Sequence, residues 1–224
     1  MGRPPRIDLG NYLYHIINRA NSRQTIFRTT KDYQHFETLL EEAQKKFDMR
    51  IVAYTIMPNH WHLFLYPKEE GDLSSFMQWL TLTHTQQYHA KTRTIGYGHI
   101  YQGRYKSFIV EKDPYFLTLL KYIERNPVRA KLANRVEDWH WGSGYRRMSG
   151  TEKEQQLLSE SPVHLPKNYR TWVNTSESKK ELESVRASVN KGTPLGTMDW
   201  TRRMVDRFGL ELTTRSPGRP KNGT

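Results

Sequence analysis

The sequence contains no cysteine, and this absence removes several kinds of chemistry at once. Disulfide bonds, thiolate zinc sites and cysteine nucleophiles are all excluded. The chain also lacks a run of about 18 apolar residues, the length that crosses a bilayer, and its N-terminal stretch lacks the apolar segment of a secretory signal. We therefore expect a cytoplasmic protein whose site is built from oxygen and nitrogen donors.

Acidic residues are scarce relative to basic ones. The 224 residues include 35 lysines and arginines against 23 aspartates and glutamates, a formal charge of +12. Such an excess favours a polyanionic partner, nucleic acid or an anionic membrane surface. No basic amphipathic helix stands out, which disfavours the membrane. Aromatic residues make up 12% of the chain, and rings beside cations are typical of single-strand binding, although a basic protein with an aromatic core has the same composition.

Hydrophobic periodicity predicts the order β-α-β-β-α-β-α over the first two thirds of the chain. Pro58-Asn59 is a turn signal, so the second and third strands should form a hairpin. A βαββαβ core is the ferredoxin-like arrangement, an antiparallel sheet with helices packed on one face. We therefore predict an α+β fold class with this core. Strands are predicted at 11–18, 50–57, 60–66 and 106–111, and helices at about 31–47, 74–91 and 113–125.

The composition changes after Gly150, which divides the chain into a main domain at residues 1–149 and a C-terminal extension. Residues 150–178 are polar and contain two prolines, so they are predicted to form a linker or extended arm. Residues 179–210 are predicted to be a small helical segment, and residues 211–224 a basic disordered tail. The extension is therefore expected to be mainly helical.

A histidine pair, His60 and His62, occupies alternate positions on the third predicted strand. Their side chains point to the same face, with Cα atoms roughly 6.5–7 Å apart, so two imidazoles can converge on one divalent ion. Two polar residues on a solvated strand face have the same pattern. Without cysteine the other ligands must be oxygen or nitrogen donors, which suits Mg²⁺ or Mn²⁺, with Zn²⁺ as an in vitro substitute.

The last predicted helix of the main domain carries two tyrosines. Tyr115, Leu119, Tyr122 and Asn126 follow one helical stripe, and Tyr122 and Asn126 are one turn apart. The two can therefore serve one site. An ordinary core helix has the same pattern, and Asn126 before Pro127 is also a common way to end a helix.

Rings and cations are interleaved just before the fourth strand, a pattern that suits a phosphate track with base stacking and also describes a solvated basic loop. The tail segment Pro217–Pro220 is similar to the Gly-Arg-Pro core of a minor-groove AT-hook. The candidate DNA contacts are Tyr101, Arg104, Tyr105 and Lys106 near the fourth strand, Arg3 and Arg6 in the N-terminal arm, Arg125 and Arg129 after the tyrosines, and Arg219 in the tail.

Three ordered segments, MPNHWHLFLYP, GHIYQGRYKSF and YFLTLLKYIERNPVRAKL, resemble the REP-associated tyrosine transposases, which belong to the single-tyrosine HUH transposases. The resemblance covers about residues 1–147 and implies the HUH endonuclease fold. It implies that His60 and His62 hold the metal, that Asn126 completes the metal site, and that Tyr122 is the nucleophile. Tyr115 is the rival nucleophile, since it lies on the same stripe.

The activity that this resemblance implies is metal-dependent cleavage and transfer of single-stranded DNA during transposition. The expected substrate is palindromic repeat DNA folded as a hairpin, and the expected intermediate is a 5′-phosphotyrosine. Two alternatives stay open: a related HUH rolling-circle initiator or relaxase, and a domesticated DNA-binding protein or repressor without catalysis. Whether the protein acts as a monomer or a homodimer is equally open.

Overall fold

The computed structural model describes residues 6–113 and 115–214, and it confirms the predicted α+β class. The bounds of the main elements lie within two residues of those predicted. Among the described residues, no helix has both the length and the apolar character that crossing a bilayer requires. The elements of the first part are β1 (Leu13–Arg19), α1 (Thr30–Phe47), β2 (Arg50–Met57), β3 (His60–Tyr66), α2 (Asp72–Thr92), β4 (Lys106–Val110), α3 (Tyr115–Glu124) and α4 (Asn126–Arg129).

The four strands form one antiparallel sheet in the order β2-β3-β1-β4. This is the ferredoxin-like order, as predicted, and β2 and β3 form the expected hairpin. Strand β1 pairs with both β3 and β4. Its register with β3 places Ile17 opposite His62 and Arg19 opposite His60, so the end of β1 lies beside the histidine pair.

Helices cover both faces of the sheet. As predicted, α1 and α2 share one face, where Phe36 and Phe76 pack in the same core as Trp61. Helix α3 covers the opposite face, where its Phe116 packs on Phe64. Because side chains alternate along a strand, Trp61 faces α1 and α2 whereas His60, His62 and Phe64 face the α3 side. The alternation therefore buries the histidine pair under the tyrosine helix.

The C-terminal extension is mainly helical, as predicted, and it packs onto the sheet. Leu195 donates to the carbonyl of Ile109 at 2.9 Å and accepts from the Glu111 amide at 2.8 Å, which covers the outer edge of β4. Val185 and Leu195 are buried in the α3-side core. The main domain ends with α5 (Ser143–Ser149). The helices of the extension are α6 (Glu152–Gln155), α7 (Tyr169–Asn174), α8 (Lys179–Lys191), α9 (Met198–Phe208) and α10 (Glu211–Thr214).

Two segment assignments need correction. Residues 150–178 are not an extended arm, because they contain α6 and α7, and both Leu157 and Val173 are buried. A few buried apolar residues hold this segment against the rest of the chain. The prediction failed because it used the average composition of the segment, which is polar. The predicted tail at 211–224 begins with the helix Glu211–Thr214, and its remaining residues lie outside the described ones.

A buried polar chain lies between the sheet and α2. The Trp61 Nε1–H donates to the Tyr101 hydroxyl at 3.0 Å, and that hydroxyl is hydrogen-bonded to His84 Nδ1 at 2.7 Å. Burial lowers the pKa of His84 to about 3. His84 is therefore neutral in the folded protein at every pH at which the protein is expected to work.

We expect acid to destabilise the protein through His84. The unfolded chain takes up a proton near pH 6.5 whereas the folded chain does not, so stability is full above pH 6.5 and is lost as pH falls below it. Between pH 7 and pH 5 this single histidine should cost about 2 kcal/mol. Denaturant unfolding of native protein and of His84→Gln at both pH values tests this. An equal loss in the two proteins would contradict the assignment.

Candidate active site

The histidine pair lies at the start of β3, directly after the hairpin turn. His60 is half-buried and His62 is only 2% exposed. The two ring centroids are 5.2 Å apart and the ring planes are inclined by 75°. The structure therefore brings the two imidazoles together on the face that α3 covers.

Each histidine of the pair has a hydrogen bond on Nδ1. His60 Nδ1 lies 2.7 Å from the Asn59 side-chain oxygen, which only accepts, so this nitrogen carries the proton. His62 Nδ1 lies 2.7 Å from Nε2 of a third histidine, His15 on β1. Neither Nε2 of the pair makes a hydrogen bond to any described residue. The two Nε2 atoms are thus the ring nitrogens available to a metal ion.

Asn126 supplies an oxygen donor one turn after Tyr122. Its Nδ2 is buried without a hydrogen-bond partner among the described residues, and its Oδ1 has none there either. No three His, Asp or Glu side chains in the described part of the chain are grouped to hold a metal ion. A metal here would therefore be held by two imidazoles and an amide, with positions left for water or phosphate oxygens. This donor set fits a hard or borderline divalent cation.

Both histidines of the pair are neutral near pH 7. Burial, and then the charge of Arg19, lowers the pKa of His60 to about 4. Burial is also the main cause that holds the pKa of His62 well below its ordinary value, helped by the neighbouring His15 and His60. Only the neutral imidazole has a lone pair for a metal, so neither histidine would have to lose a proton to bind one at neutral pH.

Tyr122 lies against this histidine cluster. Its ring centroid is 6.0 Å from that of His62 and 6.4 Å from that of His15, in both cases nearly perpendicular. The Arg129 guanidinium stacks on the same ring at 4.1 Å. Tyr115 packs against the α3-side core and makes no ring contact with a histidine among the described residues. The structure therefore brings Tyr122, and not Tyr115, to the histidine pair.

Arg125 was predicted to contact DNA, but the structure buries it. Its side chain is buried, its Nε donates to Glu177 at 2.7 Å, and its Nη1 donates to the Asn174 carbonyl at 2.6 Å. Arg129 also pairs with Glu177 and donates to the Tyr122 carbonyl at 2.7 Å, but it keeps partial exposure beside the Tyr122 ring.

Removal of Glu177 should destabilise the protein strongly. The carboxylate is buried and neutralises two arginines, so Glu177→Ala leaves buried positive charge without a partner. Such changes cost about 3–5 kcal/mol. Denaturant unfolding checks this value, with the exposed Glu183→Ala on α8 as the matched control, which should change stability little. A loss below 1 kcal/mol, on the order of an exposed ion pair, would contradict the buried role.

Two aromatic residues near β4 were also predicted to contact DNA. Tyr101 and Tyr105 are buried: the Tyr101 hydroxyl belongs to the chain of His84 and Trp61, and the Arg6 guanidinium covers the Tyr105 ring at 4.0 Å. Neither ring is available for a base to stack on. The neighbouring Arg104 and Lys106 are exposed, as their predicted role requires. The remaining candidates, Arg3 and Arg219, lie outside the described residues.

A cavity of about 530 Å³ opens between the N-terminal arm, β4 and the end of α8. Arg19 connects this cavity to the histidine pair, because it lines the wall and is the β-sheet partner of His60. Arg19 and Lys191 were missed from the sequence, since neither belongs to a basic cluster along the chain. The cations that line the cavity are Arg6, Arg19, Arg104, Lys106 and Lys191.

The fold and this site define a class of DNA-processing protein, and comparison with known proteins gives the family. The family model described as "Transposase IS200 like" matches residues 9–126, more than half of the chain. The protein therefore belongs to the IS200-like transposase family. No curated protein matches its sequence.

The fold is also that of a solved structure, the REP-associated tyrosine transposase bound to a REP hairpin. The match has a TM-score of 0.55 at 18% identity and covers 80% of this chain and 96% of that one. With the family match, it confirms the resemblance to REP-associated tyrosine transposases. A candidate transposase from Deinococcus radiodurans R1 matches at 17% identity over 62% of this chain and 97% of that one, with a TM-score of 0.39, too low for a fold comparison.

Proposed function

We propose that the protein is a metal-dependent single-strand DNA endonuclease and strand transferase that acts on hairpin repeat DNA during transposition. One observation carries the proposal. The Tyr122 ring lies against His62, and the Nε2 atoms of both His60 and His62 make no hydrogen bond to a described residue. The ring of the proposed nucleophile and the two nitrogens proposed to bind the metal therefore lie on one face of the sheet.

The chemistry is transesterification by Tyr122. His60, His62 and Asn126 would hold Mg²⁺ or Mn²⁺, which would supply positive charge to polarise the scissile phosphate. The Tyr122 oxygen attacks the phosphorus in line and loses its proton, and the bond from phosphorus to the 3′ oxygen breaks. The products are a 5′-phosphotyrosine and a 3′-hydroxyl. The new phosphodiester to Tyr122 retains the energy of the broken bond, so a second 3′-hydroxyl can attack it and reverse the step without ATP.

The surface charge supports a DNA substrate. The chain carries a formal charge of +12, and five cations line the cavity that Arg19 joins to the histidine pair. A backbone held by Arg19, Arg104 and Lys106 would place a phosphate next to the proposed metal site. The related protein with the same fold binds a REP hairpin, and we propose a hairpin with a short single-stranded flank as the substrate here.

The proposal is tested by incubating the full chain with labelled hairpin DNA drawn from the host's repeats. With Mn²⁺ or Mg²⁺ present, we expect an adduct that survives denaturation and a shortened strand with a 3′-hydroxyl. An excess of chelator should abolish both products. Binding of the hairpin without an adduct under any divalent ion would overturn the catalytic proposal and favour the non-catalytic alternative.

A further inference from the structure

A third histidine is buried behind the proposed metal site. His15 is the only histidine of β1. It lies among apolar residues at the centre of the strand and is fully buried. Its Nε2 lies 2.7 Å from His62 Nδ1, and the two rings are nearly coplanar, at 9°. This geometry is a hydrogen bond in the plane of both rings. His62 therefore has a hydrogen-bond partner on Nδ1, and its Nε2 is left without one among the described residues.

Only one of the two nitrogens in this bond can carry the proton. A neutral imidazole carries one hydrogen, on either Nδ1 or Nε2, and the 2.7 Å contact leaves room for one hydrogen between the two rings. If His62 donates from Nδ1, its Nε2 keeps a lone pair. If His15 donates from Nε2 instead, His62 must carry its hydrogen on Nε2 and cannot bind a metal there. The tautomer of the pair therefore decides whether the site can form.

We propose that His15 is a positioning residue, which accepts the His62 Nδ1–H and so holds the His62 ring with its Nε2 lone pair towards the metal. This inference rests on the proposed function, because it concerns a ligand of that metal site. Nitrogen ligands of metals are commonly oriented in this way by a partner on the other ring nitrogen. His60 has the same arrangement, with Asn59 as the acceptor.

The packing around His15 keeps its ring in one orientation. Phe108 meets the ring edge to face at 4.9 Å, and Tyr122 meets it at 6.4 Å from the same side of the sheet. His15 Nδ1 is buried with no hydrogen-bond partner among the described residues. Buried polar atoms without a partner are rare in native proteins. An apolar side chain at position 15 would avoid the cost of the unpaired Nδ1. The presence of histidine there therefore indicates that its other nitrogen, Nε2, has a function.

The proposal predicts how Mn²⁺ binding depends on the residue at position 15. Electron paramagnetic resonance of the full chain titrated with Mn²⁺ gives the affinity without any need for activity. His15→Phe keeps a buried ring but removes the acceptor, and should weaken Mn²⁺ binding about 10- to 100-fold. His15→Gln retains an acceptor oxygen near the position of Nε2 and should restore most of the affinity. His84→Phe, an equally buried histidine on the other face, should bind Mn²⁺ as the native protein does.

The tautomer can be observed directly in the native protein. Long-range ¹H–¹⁵N correlation spectra of histidine-labelled protein with Mg²⁺ distinguish a protonated ring nitrogen from a bare one. We expect a protonated Nδ1 on His62 and a bare Nε2 on His15. This measurement decides the matter even if His15→Phe does not fold.

Three results would overturn the proposal. One is native Mn²⁺ affinity in folded His15→Phe. Another is a native spectrum in which His15 Nε2 carries the proton. The third is an equal loss of affinity in His84→Phe, which would show a general effect of stability. If native protein binds no divalent ion at all, the metal site in the proposed function fails as well. That outcome differs from metal binding by native protein that is unchanged when His15 is replaced.

Discussion

Tyr122→Phe should remove the covalent DNA adduct completely and lower strand cleavage by at least about a thousandfold. The substitution deletes only the hydroxyl oxygen, so the ring still packs on His62 and under Arg129. Among the described residues, no other tyrosine ring contacts a histidine of the pair. The measurement is denaturing gel electrophoresis of labelled hairpin DNA after incubation with Mn²⁺.

Tyr115→Phe is the matched control, because Tyr115 lies on the same helix but packs into the α3-side core. It should form the adduct at close to the native rate. Hairpin binding by both variants, measured without metal, shows that each is folded and loaded with DNA. If Tyr115→Phe lost the adduct and Tyr122→Phe kept it, the assignment of the nucleophile would be reversed.

Replacing both histidines of the proposed metal site, His60→Ala with His62→Ala, should abolish Mn²⁺ binding and the adduct together. The imidazoles are the only nitrogen donors proposed for the ion, and an ion that polarises the phosphate contributes several kcal/mol to the rate. A loss of at least about a thousandfold is therefore expected. Calorimetric titration with Mn²⁺ and the adduct assay measure the two losses separately.

DNA binding serves as the control for the double variant. The cavity cations Arg19, Arg104 and Lys106 remain in place, so the affinity for hairpin DNA in the absence of metal should change little. A double variant that still forms the adduct at the native rate would show that cleavage does not depend on this site. One that loses hairpin binding as well would show that the histidines act mainly in folding or in DNA contact.

The main elements of the fold were predictable because their signals are local. The strands β2 and β3 have the predicted bounds, since apolar runs flank the Pro58-Asn59 turn. Alternation along β3 was enough to predict that His60 and His62 share a face. The segment 150–178 was harder, because only a few of its residues, Leu157 and Val173 among them, are buried and its composition resembles that of a linker.

The site was predictable only where its residues are close in the chain or belong to a recognisable motif. Tyr122 and Asn126 are one helical turn apart, and their roles rest on the family resemblance, so they stay proposals with the chemistry that depends on them. His15 is 47 positions from His62 and gives no signal beyond a single polar ring in an apolar strand. The sheet register alone brings those two rings together.

The basic residues show the same contrast between what composition predicts and what the tertiary structure decides. Net charge follows from composition alone, and so does the preference for a polyanion. The exposure of each arginine depends on the acceptors that folding brings close to it. Arg125 is buried in an ion pair with Glu177, whereas Arg19 lines the cavity and is the β-sheet partner of His60. The sequence by itself determined three features: the order of strands and helices along the chain, the shared face of the histidine pair, and the net positive charge. Each depends on composition or on residues close in the chain. The tertiary structure decided the partner of His62, the neighbours of Tyr122 and the exposed cations, because each depends on contacts between residues far apart in the chain.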